Sequence, residues 1–297
     1  MELEQYMKFA IKEAEASLKE GNNGFGAVIV KEGIIIASTH DQEDTLSDPT
    51  SHAEMNAIRE ACVKVGKKLA GCTLVCTHEP CPMCAFAIVW AGIKEVIYGY
   101  SIQDALAQSR KRINLPCNEA FRLAGADIKV QGGVLREECS VLYREDVRRE
   151  LKNLQNADDF TLSALNEDSV RRRTEWFAQN RNRLDFGLEE LPYAGYRLLL
   201  DRFHITEKEA LIVKRTGKEI VFHSMNFCPT LEACRILGLD TRYICKRLNE
   251  SSTDMLVKQI DPRLKFSRNY DCLRPCTAYC EERISLGDEE SKFVTTF

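Results

Sequence analysis

Residues 73–100, TLVCTHEPCPMCAFAIVWAGIKEVIYGY, decide the architecture. Thr73-Leu74-Val75-Cys76-Thr77 has the length and the β-branched, apolar character of a short buried strand. Pro80 and Pro82 then open a helix, since proline's fixed φ suits a first helical turn and no N–H is needed there. The apolar run Ala85 to Ala91 continues that helix, and Glu95-Val96-Ile97-Tyr98-Gly99-Tyr100 is the next strand. Strand, helix, strand is an α/β pattern, with strand ends feeding the helix starts where chemistry sits.

Two thiols mark that helix start. Cys81 and Cys84, at i and i+3, face the same way. Upstream of Pro80 by 26 residues ends His52-Ala53-Glu54. One imidazole and two thiols are three ligands, one fewer than a structural zinc site closes with, so a fourth position stays open for water, as in a catalytic zinc. Asp48-Pro49-Thr50 reads as an N-cap with proline at the first helical position, which puts His52 in a helix's first turn. Residues i and i+2 diverge on a helix, so Glu54 reads as a carboxylate beside the open position and not as a ligand. Both helix N-termini aim positive dipole ends at the site and favour the thiolates zinc needs.

Working outward, Met7, Ala10, Ile11, Ala14 and Leu18 have helical spacing within residues 2–20. Gly21-Asn22-Asn23-Gly24 breaks that helix, and residues 25–30 and 34–38 pair as a hairpin across Lys31-Glu32-Gly33. The polar segment 40–47 is a loop leading into the metal helix and a candidate substrate loop. The metal helix runs to about Val65. Residues 104–107 and 118–124 look helical, 128–130 form a short strand, and 134–154 a charged helix. The first domain ends at 154. Residues 155–168 are polar and aperiodic, a linker, and 169–297 form a smaller α+β domain. Its helices are expected at 170–180, 191–203, 229–237 and 241–249, with a hairpin at 210–213 and 219–223 and strands near 263–268 and 277–285.

The 297 residues are 44% hydrophobic and 29% charged, the composition of a soluble globular protein. No run approaches the roughly 18 apolar residues of a membrane span and no signal pattern opens the chain, so a cytoplasmic location is the default. Thirteen cysteines, an odd count in a chain of this size, read as reduced thiols. Residues 1–155 hold 19 basic and 22 acidic side chains, the rest 22 and 23. Neither half has the basic surplus of a protein that grips phosphates non-specifically, which argues against a nucleic-acid partner.

Phe25–Val30, Asp48–Glu54, Glu79–Cys84 and Gly132–Cys139 together resemble the cytidine deaminase-like superfamily, nearest the branch of guanine, cytosine and tRNA adenosine deaminases, over residues 1–153. His-x-Glu with Pro-Cys-x-x-Cys is the zinc deaminase signature. The resemblance implies a three-layer α/β/α fold around a mixed sheet, a homodimer or larger homo-oligomer, and one Zn2+ per chain held by His52, Cys81 and Cys84. It also implies catalysis by a zinc-activated water, with Glu54 taking the water's proton, delivering it to a ring nitrogen and finally protonating the departing amine.

Substrate contacts are less determined. Eleven residues before the zinc histidine this branch carries Asn, and here stands Asp41. An ionised Asp only accepts hydrogen bonds, so in the pocket it asks for a donor on the substrate; a shifted loop would instead put it in solvent. Where guanine deaminases hold a base-reading Asp, an ungapped count reaches Arg112. Arg110-Lys111-Arg112 either meets a carboxylate or phosphate or is a solvated basic turn. Trp90 matches a tryptophan near the substrate in guanine deaminases and either stacks on a flat ring or packs in the core. Phe25 walls the pocket from the first strand. His78 reads as structural.

Residues 226–284 are similar to aminothiazoline carboxylate hydrolases, without a role for their cysteines. The expected function is therefore hydrolytic deamination of a small purine-, pyrimidine- or triazine-like ring. The alternatives are a tRNA adenosine deaminase and a non-catalytic ligand sensor.

Overall fold

The computed structural model describes residues 3–184 and 190–287, in two compact units, Met1–Lys152 and Asn153–Phe297. In the first, α1 (Leu3–Lys19) precedes the hairpin β1 (Gly26–Lys31) and β2 (Ile34–His40), then α2 (Glu43–Leu46), α3 (Ala53–Val65), β3 (Cys72–His78), α4 (Pro82–Ala91) and β4 (Glu95–Tyr100). Next come α5 (Ile102–Ala107), α6 (Cys117–Leu123), β5 (Lys129–Gln131), α7 (Arg136–Val141) and α8 (Glu145–Leu154). The sheet order is β2-β1-β3-β4-β5. β1 runs antiparallel to β2 and β3, and β3, β4 and β5 are parallel.

Side-chain alternation along the strands sorts the layers. Ala27, Ile29, Leu74, Cys76 and Val96 share a core with Ala53, Ala57 and Ala61 of α3, Ala85 and Ile88 of α4, and Phe121 of α6. On the other face Gly26 lies against α1, where a Cβ would sit 2.0 Å from the Ala10 carbonyl oxygen, and Gly99 lies against α7, where a Cβ would sit 2.3 Å from the Cys139 sulfur. Helices on both faces make the layering α/β/α. The alanines of α3 let it lie close on the sheet, and β3 ends where α4 begins.

The second unit contains α9 (Asp159–Asn180), α10 (Leu191–Phe203), β6 (Ala210–Arg215), β7 (Glu219–Ser224), α11 (Pro229–Leu237) and α12 (Thr241–Cys245), which runs through a π-helical turn at Lys246–Glu250 into α13 (Ser251–Val257). β8 (Leu264–Arg268) and β9 (Cys280–Leu286) complete an antiparallel sheet of order β6-β7-β9-β8. Tyr196, Leu198, Phe222, Leu256, Phe266 and Ile284 are in its core. An Arg268–Glu282 pair at 2.7 Å, its carboxylate buried, crosses β8 and β9, and Ser224 donates to the other carboxylate oxygen at 2.6 Å.

Three expectations change. The segment 155–168 is helical from Asp159, because Asp158 caps α9 by accepting the Thr161 N–H at 2.8 Å and Leu162 is buried. The helix expected over 134–154 is two, broken where Leu142 and Tyr143 turn into the core and the Tyr143 hydroxyl donates to Thr77 Oγ at 2.8 Å. The segment 40–47 contains α2. No helix among the described residues is long and apolar enough to cross a membrane.

Candidate active site

Two helix starts converge on one point. His52 is the N-cap of α3, one residue before the helix, with φ −69° and ψ 155°. The earlier start read from Asp48-Pro49-Thr50 is not made, because the Asp48 carboxylate accepts from the Thr50 N–H and hydroxyl, both at 2.8 Å, and closes a separate turn. Cys81 is the N-cap of α4, with Pro82 as the first helical residue. Neither side chain makes a capping hydrogen bond, and imidazole and thiol both face the site.

His52 Nδ1 lies 3.6 Å from Cys81 Sγ and 3.5 Å from Cys84 Sγ. Tetrahedral zinc with Zn–S of about 2.3 Å and Zn–N of about 2.05 Å places such atoms about 3.6 Å apart, so the three donors fit the metal in both chemistry and spacing. All three ligand atoms fall within 4.8 Å of one another. The neighbouring Cys84 thiol and the His52 ring hold the Cys81 thiol down at about 4, that of a thiolate at neutral pH. Cys81 in turn raises His52 to about 9, against its burial. Cys81 and burial push Cys84 up. On the far edge of the imidazole, Nε2 faces the Glu43 carboxylate at 3.8 Å.

Glu54, 6% exposed, follows in the first turn of α3. Its Oε2 lies 3.6 Å from Cys84 Sγ. Burial, with the negative Cys81 beside it, raises the carboxyl to about 7. A group poised there both takes and returns a proton near neutrality.

His52, Glu54 and Cys81 open into a cavity of about 540 Å³, the size of small-molecule sites. Phe25 and Arg112 line it. His78 lines it too. Burial lowers that ring to about 4, so it is neutral. The Glu79 carbonyl oxygen at 2.9 Å can only accept, so Nδ1 carries the hydrogen, leaving Nε2 to accept the Arg112 Nε–H at 3.4 Å. The ring meets Phe25 edge-on at 5.5 Å and Tyr143 at 5.3 Å.

Two expected contacts lie elsewhere. Asp41 is fully buried and does not line the cavity; its Oδ1 accepts from the Asn23 N–H at 3.3 Å and from the Glu43 N–H at 3.4 Å. Asn23 is the residue at the cavity wall, and its Nδ2 reaches Glu43 Oε2 at 3.2 Å. Trp90 is 80% exposed and lines nothing there, because six residues along a helix turn it about 240° from Cys84, which faces inward. Sequence reasoning missed Asn23, taken for a turn residue, and Glu79. Buried Glu79 accepts from Ile102 N–H at 2.9 Å and Cys117 N–H at 2.8 Å, tying the starts of α5 and α6 to the end of β3. Only its place beside Pro80 hinted at it.

A buried carboxyl beside a His/Cys/Cys cluster in a cavity is the equipment of a metal-dependent hydrolase. The cytidine and deoxycytidylate deaminase zinc-binding region matches residues 1–100. The chain is 41% identical over 147 residues to the tRNA-specific adenosine deaminase of Bacillus subtilis (strain 168), 48% of this chain and 89% of that protein. It is 46% identical over 107 residues to the guanine deaminase of the same strain, 35% of this chain and 69% of that one. The tRNA-specific adenosine deaminase of Aquifex aeolicus (strain VF5) is 47% identical over 96 residues, 32% of this chain but 64% of the relative, slightly under two thirds of its length. The chain belongs to the cytidine deaminase-like family of zinc-dependent deaminases, hydrolases of C–N bonds.

Proposed function

We propose that the chain deaminates a small amino-heterocycle, a purine-, pyrimidine- or triazine-like base or nucleoside, with His52, Cys81 and Cys84 holding one zinc ion and Glu54 moving the protons. The single observation that carries this reading is the buried Glu54 carboxyl beside the three donors, in a cavity that Phe25 also lines. When bound, zinc supplies a Lewis acid that acidifies water. Glu54 accepts a proton from the attacking water and passes it to the ring nitrogen next to the amino-bearing carbon. A C–O bond forms at that carbon; Glu54, now ionised again, takes the proton of the new hydroxyl group and delivers it to the amine, and as the C–N bond breaks the oxygen closes to a carbonyl and ammonia leaves. Phe25 offers the ring an apolar wall. The amide that position 41 lacks is available from Asn23 at the same wall, with Asp41 holding Asn23 in place. Thirteen free thiols fit a reducing, cytoplasmic setting.

Ammonia release by the zinc-loaded protein should appear with one free base, nucleoside, aminotriazine or aminopterin of a panel. Glu54→Gln keeps the shape and removes the proton carrier, so turnover should fall by several orders of magnitude with zinc retained; near-normal rates in that variant would sink the role. The second reading, a tRNA adenosine deaminase, is favoured by the Bacillus subtilis relative, and turnover of an anticodon stem-loop alone would select it.

A further inference from the structure

One wall of the cavity is basic. Arg110, Lys111 and Arg112, between α5 and α6, and Arg148 of α8 all line it. The chain segments that carry them are held in place by neighbouring groups. Glu79 ties down the starts of α5 and α6 on either side of the Arg110–Arg112 turn. Arg112 is held by His78 and lies 5.5 Å from the Phe25 ring centroid. Arg148 donates to the Asn23 carbonyl oxygen and, at 3.4 Å, to that of Leu142.

Burial, then the like charges of Arg110 and Arg112, lower Arg148, and burial and Arg110 act the same way on Arg112. None of the four has a carboxylate within salt-bridge distance among the described ion pairs. Three acids on the same cavity are engaged elsewhere, Glu43 with His52 and Asn23, Glu54 with Cys84 and Glu79 with two helix starts; exposed Glu145, one turn before Arg148, attracts it through space without an ion pair among those described. Gathering four cations around a cavity costs stability unless an anion completes it. Guanidinium groups suit oxyanions, which they grip through paired N–H donors.

We infer that the substrate's amino-bearing ring carries an anionic substituent, a phosphate or carboxylate, which docks on Arg110, Lys111, Arg112 and Arg148 while the ring lies between Phe25 and Glu54. This rests on the deaminase reading of the same cavity and narrows its substrate class.

Binding tests this apart from turnover. The full-length, zinc-loaded Glu54→Gln protein is titrated calorimetrically with purine and pyrimidine bases, their nucleosides, the 5′-monophosphates, an aminopyrimidine carboxylate, inorganic pyrophosphate and an anticodon stem-loop. The expected result is that a phosphorylated or carboxylated ring binds at least about 10-fold tighter than its neutral parent, the size of charged hydrogen bonds. Adding Arg110→Gln and Lys111→Gln should bring that ratio near one with zinc content and circular dichroism unchanged. Equal affinities for charged and neutral rings overturn the inference, as does a preference that survives the double substitution. No binding of any anionic ring or of pyrophosphate overturns it too, and binding of the stem-loop alone assigns the wall to an RNA backbone instead. The deaminase reading fails separately, if ligands bind and the wild-type protein releases no ammonia from any of them.

Discussion

Glu79→Gln is the substitution that tests how the site is held. The carboxylate sits 4% exposed and accepts one N–H on each oxygen, from Ile102 at 2.9 Å and from Cys117 at 2.8 Å, the first residues of α5 and α6. Glutamine keeps one acceptor and turns an NH2 group toward the other N–H. One charge-assisted bond is lost, about 1.5–3 kcal/mol, and a buried donor is left without a partner, about 1–3 kcal/mol more. The first unit should therefore lose about 2.5–6 kcal/mol, or at least about 5 °C of melting temperature for a unit of that size. Urea unfolding followed by circular dichroism reads the free energy. Hydrogen exchange at the amides of Ile102 and Cys117 reads its location, because both should lose protection before the strands do. A loss under about 1 kcal/mol with both amides still protected would refute the clamp, and with it the account of what fixes the Arg110–Arg112 turn.

Cys81→Ser replaces a thiolate that the site holds down at about 4 with a hydroxyl that stays protonated. Zinc per chain, measured by plasma emission after dialysis, should fall well below one; a full complement would remove Cys81 from the ligand set. Stability should also depend on acid through Asp104, which Arg136 grips with Nε at 3.1 Å and a terminal nitrogen at 2.6 Å, lowering the carboxyl from 3.8 to about 2. A lowered folded-state value stabilises fully above 3.8 and is lost as pH falls toward 2. Asp104→Asn should therefore narrow the gap to wild type between pH 4 and 2, and a gap constant across that range would contradict the pairing.

The metal-site geometry was legible because its requirements are local. Zinc asks for particular donor atoms, helix starts ask for particular capping residues and prolines, and both demands fall on His52 and Pro80–Cys84 within a few positions of each other. The strands β1 and β3 were legible for a similar reason, since a strand buried on both faces is a short apolar, β-branched run between turn residues. The helix starts themselves were less so: Asp48 can cap a helix or close a turn, and the choice depends on where His40 and Ser51 are anchored, by Asn56 on α3. Trp90 misled because a spacing counted along the chain says nothing about direction until the helix phase is fixed by Cys84.

What stayed hidden is everything that joins distant segments. Asn23 and Arg148 are 125 positions apart and meet through a backbone carbonyl; Glu79 reaches 38 positions to Cys117. Nothing in the local pattern of either pair announces a contact. The same holds for charge. Counted over residues 1–155, acids outnumber bases, and the count speaks against a protein that grips phosphates non-specifically. Folding sets the local balance, because it pairs many of those acids with surface cations such as Arg122, Lys129 and Arg144 and leaves Arg110, Lys111, Arg112 and Arg148 together at the cavity. Net charge is a sum over the surface, whereas a ligand in the cavity feels mainly the charges nearest it, the rest being screened over about 10 Å. The composition therefore bears on non-specific gripping of long polyanions, and the wall of the cavity bears on the single charge of a small one.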